Sequence, residues 1–163
     1  MEELCAALPY DSATEVEEED SASETSEAET EQVHSLSTAA VTGTMNKKTM
    51  RLLGFVDQQQ MLILVDSRSS ANFISSAMVQ MLGCTVTSAP VVQVTIANGT
   101  KMTSDKQISH FKWGCQNVQF TTPVRVLDLP CYDMILGMEW LTTFSPMWVD
   151  WKIKKMKINV DGK

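Results

Sequence analysis

Residues 61–65, MLILV, form a nearly continuous apolar run that ends on an acid, Asp66. A short run without polar alternation reads as a strand buried on both faces, so the chain must supply packing layers on either side of it. A carboxylate at the end of such a strand is costly in an apolar interior unless something uses it. Small hydroxyls follow, interrupted by a bulky cation, in the order Ser67-Arg68-Ser69-Ser70. The stretch LVDSRSSANFIS, residues 64–75, therefore raises two questions: what Asp66 serves, and what Arg68 does two residues beyond it.

The surrounding sequence predicts short strands broken by turns. MRLLGFVDQQQMLILVDS reads as two strands joined by a polar turn at Asp57 to Gln60, with order beginning near Met50. From Ala71 to Leu82 the period changes. Phe73, Ile74, Ala77, Met78, Met81 and Leu82 fall at the spacing of a core-facing helix, with Ser69 or Ser70 as its N-cap and Gly83 as its stop. In VVQVTIANGTKMTS, Val92, Val94 and Ile96 alternate with Gln93 and Thr95, and Asn98-Gly99 is a strong hairpin-turn signal. QISHFKWGC and NVQFTTPVRVL read as two more strands joined around Gly114 to Asn117, and YDMILG as another ending in Gly137. MEWLTTF reads as a brief helix. MWVDWKIKKMKINV alternates in two phases, with Val149, Trp151 and Ile153 in one and Met156, Ile158 and Val160 in the other, implying a turn or bulge at Lys154-Lys155. The expectation is a mainly β chain with one main helix and one short helix, closed as a barrel or stacked as a sandwich.

Charge divides the chain. Residues 1–33 carry 12 acids and no Lys or Arg, whereas the remainder carries 13 bases against 8 acids, so the net charge of −7 reports the first part alone. ATEVEEEDSASETSEAETEQ is too poor in apolar side chains to offset its ordering entropy. Residues 1–45 are accordingly expected to be a disordered acidic Ser/Glu-rich linker, and residues 46–163 a single domain. The N-terminus is acidic where a secretory leader is basic, and no apolar run is long enough to span a bilayer. A cytoplasmic protein without a membrane partner is expected. Cys5, Cys84, Cys115 and Cys131 lie far apart without CxxC spacing. They read as buried free thiols; a zinc site from His110 and Cys115 has too few ligands, so neither metal nor cofactor is expected. The Lys152 to Lys157 cluster lies on an alternating strand and reads as a solvated edge, not a nucleic-acid surface.

VDSRSSANFIS resembles the active-site segment of aspartic proteases, whose pattern is two apolar residues, Asp, Thr or Ser, Gly, then Ala or Ser. It is most similar to the protease of gypsy-class LTR retrotransposon polyproteins. VTIANGTKM is similar to that family's flap strand and turn, YDMILGMEWL to its segment beside the active-site loop, and VDWKIKKMKI to its closing strands. The resemblance covers roughly residues 50–160 and implies a retropepsin fold, a closed β-barrel-like half with the Asp loop at its centre. It implies a homodimer in which each copy gives one catalytic Asp66, Ser67 ties the two loops together, and Ser69 belongs to the motif. Ile96, Ala97, Asn98 and Gly99 would cover a polypeptide substrate, and Gly137 would be the structural glycine near the loop.

One acid per chain also follows from chemistry. Amide hydrolysis by carboxylates uses one ionised group to activate water and one protonated group to support the carbonyl and leaving amine. Asp57, Asp133 and Asp150 stand in no comparable motif, and a symmetric dimer, as the resemblance implies, would bring two copies of Asp66 together.

Arg68 departs from the motif, which has Gly there; Glu139, where the family has Asp, keeps the charge. The glycine leaves room near the two-fold axis and lets a backbone N–H approach the carboxylates. Two guanidinium groups at that axis would crowd it and hold both carboxylates as anions, leaving no acid. Three readings remain open: an aspartic endopeptidase processing a retroelement polyprotein, a catalytically silent retropepsin-like module that binds peptides or dimerises, and a plain retroelement fragment with no cellular role.

Overall fold

The structure, a computed structural model, describes residues 2–5, 33–36, 40, 49–96 and 99–160. Its strands are β1 (Glu2–Cys5), β2 (Val33–Leu36), β3 (Thr49–Val56), β4 (Gln59–Asp66), β5 (Phe73–Ser75), β6 (Thr87–Ile96), β7 (Lys101–Cys115), β8 (Val118–Leu127), β9 (Met134–Leu136), β10 (Trp148–Asp150) and β11 (Lys155–Ile158). Two helices, α1 (Ser76–Leu82) and α2 (Met138–Thr143), complete the described elements.

Six strands close on one another. Their pairings run β7-β3-β4-β9-β5-β8, and β8 pairs back onto β7. The β3–β7 link is the narrowest, one residue pair between Phe55 and Gly114. β4 sits inside this ring, antiparallel to β3 with Thr49 opposite Asp66 and parallel to β9 with Val65 opposite Leu136. Its side chains serve two cores, as the unbroken apolar run predicts. Met61, Ile63 and Val65 enter one with Leu52, Trp113, Phe120 and Trp140. Leu64 enters the other with Phe73, Val94, Ile96 and Tyr132. The expected barrel-like, mainly β architecture is the one found.

Several boundaries differ from expectation. The helix predicted from Ala71 begins five residues later, because Phe73–Ser75 form a strand paired on both edges, to β8 and β9. Phe73 and Ile74 are fully buried in opposite cores, which adjacent residues achieve through strand alternation. Ser75, not Ser69 or Ser70, caps α1: its Oγ accepts the Met78 N–H at 3.0 Å. Gly83 ends α1 at φ +65°, as predicted. Met81, counted in the apolar stripe, is 64% exposed. The returning hairpin strand and QISHFKWGC are one continuous strand, β7, with a register shift between Ile108 and Phe111. The β7–β8 turn uses left-handed backbone at Gln116 and Asn117.

A second sheet has the order β1-β11-β10. Its β10–β11 connection spans Trp151 to Lys154. Most of the acidic linker expected over residues 1–45 lies outside the described residues; β1 and β2 fall within those numbers and pair with β11 and β6. The solvated-edge reading of the lysine cluster fails at Lys154, which is 4% exposed and whose Nζ donates to the Thr49 carbonyl at 2.8 Å. The left-handed turn at Lys154 (φ 54°) brings it back over β3.

Burial pushes the Lys154 ammonium below its ordinary value of 10.5. The unfolded chain then holds its proton to higher pH than the folded one, so this residue's contribution improves as pH rises toward 10.5. Urea unfolding of wild type and Lys154→Met between pH 7 and 10 is expected to show wild type gaining stability relative to the variant. A pH-independent difference would contradict the assignment.

Candidate functional site

β4 delivers Asp66 into the ring, where it is fully buried. The chain turns at once: the Ser69 N–H donates to the Asp66 carbonyl at 3.2 Å. Both carboxylate oxygens are held by this turn. Oδ1 accepts the Arg68 N–H at 2.9 Å, and Oδ2 accepts the Ser69 hydroxyl at 3.3 Å. Ser67 and Arg68 are half-buried, and Ser69 is fully buried.

The end of β9 and the start of α2 grip the loop. Met138 N–H donates to the Ser69 carbonyl at 2.7 Å and Glu139 N–H to the Ser70 carbonyl at 3.1 Å. Gly137 makes this approach possible, since a Cβ there would run into the backbone oxygens of Ser69 and Ala71. Asn72 locks the crossing. Its Oδ1 accepts the Gly137 N–H at 3.1 Å, and its Nδ2 donates to the Pro123 carbonyl at 3.2 Å. Its carbonyl accepts the Arg125 N–H at 3.0 Å, while its own N–H reaches Glu139 Oε2 at 3.4 Å. α2 is in turn seated by aromatics. Trp140 meets Phe120 edge-on at 5.7 Å and lies 4.9 Å from the Phe144 ring.

The covering hairpin is present at its base. Ile96 is buried in the second core, and Gly99, at φ +88°, donates its N–H to the Ile96 carbonyl at 2.8 Å. Ala97 and Asn98 lie outside the described residues. The other aspartates singled out in the sequence do local work. Asp133 Oδ2 accepts the Leu62 N–H at 2.7 Å, clipping β9 to β4. Asp150 Oδ1 accepts the Lys152 and Ile153 N–H groups, ordering the turn after β10. Asp57 is in the β3–β4 turn with φ 52°.

Beside the loop is a cavity of about 290 Å³ lined by His34, Ser70, Asn72, Gln107, Arg125 and Glu139, among others. His34 Nδ1 lies 3.4 Å from the Ser70 hydroxyl. Burial, then the Arg125 charge, lower the His34 pKa below 6.5, against a smaller upward pull from Glu139. None of His34, Asn72 and Arg125 was singled out from the sequence. Asn72 left one usable signal, an amide amid apolar residues directly after a hydroxyl loop. His34 and Arg125 left none.

Among the thiols, Cys115 is buried and its pKa is pushed up to about 11 by that burial, Cys84 is half-buried and Cys131 is exposed. The expectation that every thiol is buried fails at Cys131. The described residues hold no cluster of three or more metal-ligating side chains. None of their helices is long and apolar enough to cross a membrane.

An acid loop at the end of a central strand, pinned by a glycine on a second strand, is an arrangement that can be compared with known proteins. The family described as the PEG10/RTL1 protease domain matches residues 62–161. The chain belongs to this family. The matched span runs from β4 to past β11 and contains the Asp66 loop, the β6–β7 hairpin and the Gly137 crossing. One solved structure shares the fold of this PEG10/RTL1 protease domain, and a second is similar to it. The retroviral protease-like domain of Ddi1 from Leishmania major aligns with TM-score 0.52 at 14% identity, covering 69% of this chain and 89% of that one. A retropepsin-like aspartic protease from Rickettsia conorii aligns with TM-score 0.48 at 15% identity, covering 66% and 80%. No curated protein matches the chain.

The Asn72 lock predicts a stability signature. Asn72→Ala leaves the buried Gly137 N–H without this partner, at about 1–3 kcal/mol, and also removes the bond to the Pro123 carbonyl. Denaturant unfolding should show a loss of about 2–4 kcal/mol, against about 0.5 kcal/mol or less for the exposed control Met81→Ala. Equal losses would contradict the lock.

Proposed function

We propose that this chain is a retropepsin-like module that binds extended polypeptide, completes its acid pair only as a homodimer, and has its hydrolysis suppressed by Arg68. The supporting observation is Asp66 itself, fully buried at the end of β4 with both oxygens held by its own loop. Asp133 and Asp150 are engaged by backbone N–H groups elsewhere, and Asp57 is in a remote hairpin turn. The partner acid then comes from a second Asp66.

In the assembled pair, one carboxylate is ionised and draws a proton from water as that water attacks the scissile carbonyl. The other is protonated, donates to the developing oxyanion, and then supports proton delivery to the leaving amine. Two carboxylates about 3 Å apart share one proton because both cannot ionise at that distance. Ser69 fixes one oxygen of each acid, Ser67 braces the two loops, and the hairpin between Ile96 and Gly99 covers the peptide. Gly137 supplies the clearance that sets the loop at its depth.

Arg68 keeps one property of the motif glycine. Its N–H still approaches Asp66 Oδ1, at 2.9 Å, and its backbone is outside the left-handed region. Local geometry therefore tolerates the substitution, and its effect falls on assembly and charge. Two guanidinium groups near one axis repel each other and favour both carboxylates as anions, which removes the acid that the second half-reaction requires.

The test is peptide cleavage by the full chain at mildly acidic pH, with and without a transition-state-mimicking inhibitor of aspartic peptidases. Arg68→Gly should raise turnover by about 10²-fold or more, and Asp66→Asn on that background should abolish it. Equal cleavage by wild type and Arg68→Gly would remove Arg68 as the brake. No cleavage by Arg68→Gly would remove the hydrolytic reading.

A further inference from the structure

β2 reaches the Asp66 loop from a stretch of chain well before β3 and outside the ring of six strands. It is extended and pairs in parallel with β6, from Val33 opposite Gln93 to Leu36 opposite Ile96. Its Ser35 is hydrogen-bonded to the loop. The Ser35 N–H donates to Ser70 Oγ at 2.8 Å, and the Ser70 N–H donates back to the Ser35 carbonyl at 3.1 Å. The Ser35 hydroxyl donates to the Arg68 carbonyl at 3.2 Å. One exposed serine thus makes three hydrogen bonds to the loop that carries Asp66.

The flanking side chains are received by the fold. Leu36 is 2% exposed and joins Leu64, Val94, Ile96 and Tyr132 in the second core. His34 enters the cavity beside the loop and meets Phe73 edge-on at 6.3 Å. Reciprocal backbone bonding around one residue, an added strand on a sheet edge, and places for the residues on either side are how a fold holds an extended peptide.

We propose that Val33–Leu36 is a tethered ligand of the peptide cleft. This chain's own N-terminal stretch occupies the groove between β6 and the Asp66 loop, and it must leave before a peptide from another molecule can enter. The inference rests on the cleft reading above and adds its regulation. A tethered segment competes at an effective concentration on the order of mM, so an untethered peptide binds poorly until the tether is released. The groove's preferred occupant carries a small residue at the Ser35 position, followed by a branched apolar one. Its backbone must be free to donate and accept at the small residue.

Of Val33–Leu36, Leu36 is the one seated in the second core, so release withdraws that side chain from it.

The test uses the full chain and a fluorescein-labelled peptide of residues 31–40, EQVHSLSTAA, read by fluorescence anisotropy. Ser35→Pro removes the N–H that Ser70 accepts, and Leu36→Asp removes the apolar anchor. Both variants are expected to bind the peptide at least about 10-fold more tightly than wild type. Hydrogen exchange should show the Ser35 amide protected in wild type, and the Ile63 and Ile135 amides protected in wild type and both variants. An unprotected Ser35 amide in wild type overturns the proposal. So does equal peptide affinity in all three proteins, or no binding by folded variants, which would make β2 a fixed strand. Hydrolysis is not read, so a chain that binds without cleaving still passes, and failure here leaves the Arg68→Gly comparison intact.

Discussion

The fold turns on the crossing of two backbones at Gly137. The loop after Asp66 passes so close to the end of β9 that a single Cβ would collide with two of its carbonyl oxygens. That closeness lets Met138 and Glu139 donate to Ser69 and Ser70. Asn72 then joins four partners at once, from the glycine, Pro123, Arg125 and Glu139. The barrel supplies the walls of this crossing and the aromatic seat of α2 supplies its floor. A buried carboxylate is tolerated at the end of an apolar strand because the loop meets it with a backbone N–H and a hydroxyl.

Much of this was legible in the residues. The apolar run of β4 announced a two-sided strand, the alternation of Val92, Val94 and Ile96 a half-buried one, and Gly83 a helix stop. What was not legible has specific physical causes. Phe73-Ile74 mimics a helical stripe, and only pairing on both edges, which is non-local, selects the strand. Lys154 looks like any edge lysine until a left-handed turn folds it back over Thr49. At the site, Asp66, Ser69 and Gly137 stand in recognisable patterns. Asn72 was read as the start of a helix because its side-chain partners are 51 and 65 residues away in sequence. β2 was read as part of a solvated linker since VHSL has too few residues to reveal a strand by itself.

Arg68 illustrates how a motif residue divides into separable properties. The glycine it replaces provides backbone approach and empty space. Asp66 still receives the N–H, so the first property survives the substitution. The second is lost, and in the proposed pair its loss falls where the two loops face each other. A change that leaves the single chain intact can therefore silence a proposed pair, and a groove able to hold an extended strand remains beside it.

The central claim is that Asp66 acts in a pair shared between two chains. The most direct measurement is the stoichiometry of a statine-containing peptide, a mimic of the tetrahedral intermediate, titrated calorimetrically into Arg68→Gly and followed by sedimentation. One inhibitor per two chains, in a complex sedimenting as a dimer, is the expected result. One inhibitor per chain in a monomeric complex would contradict it.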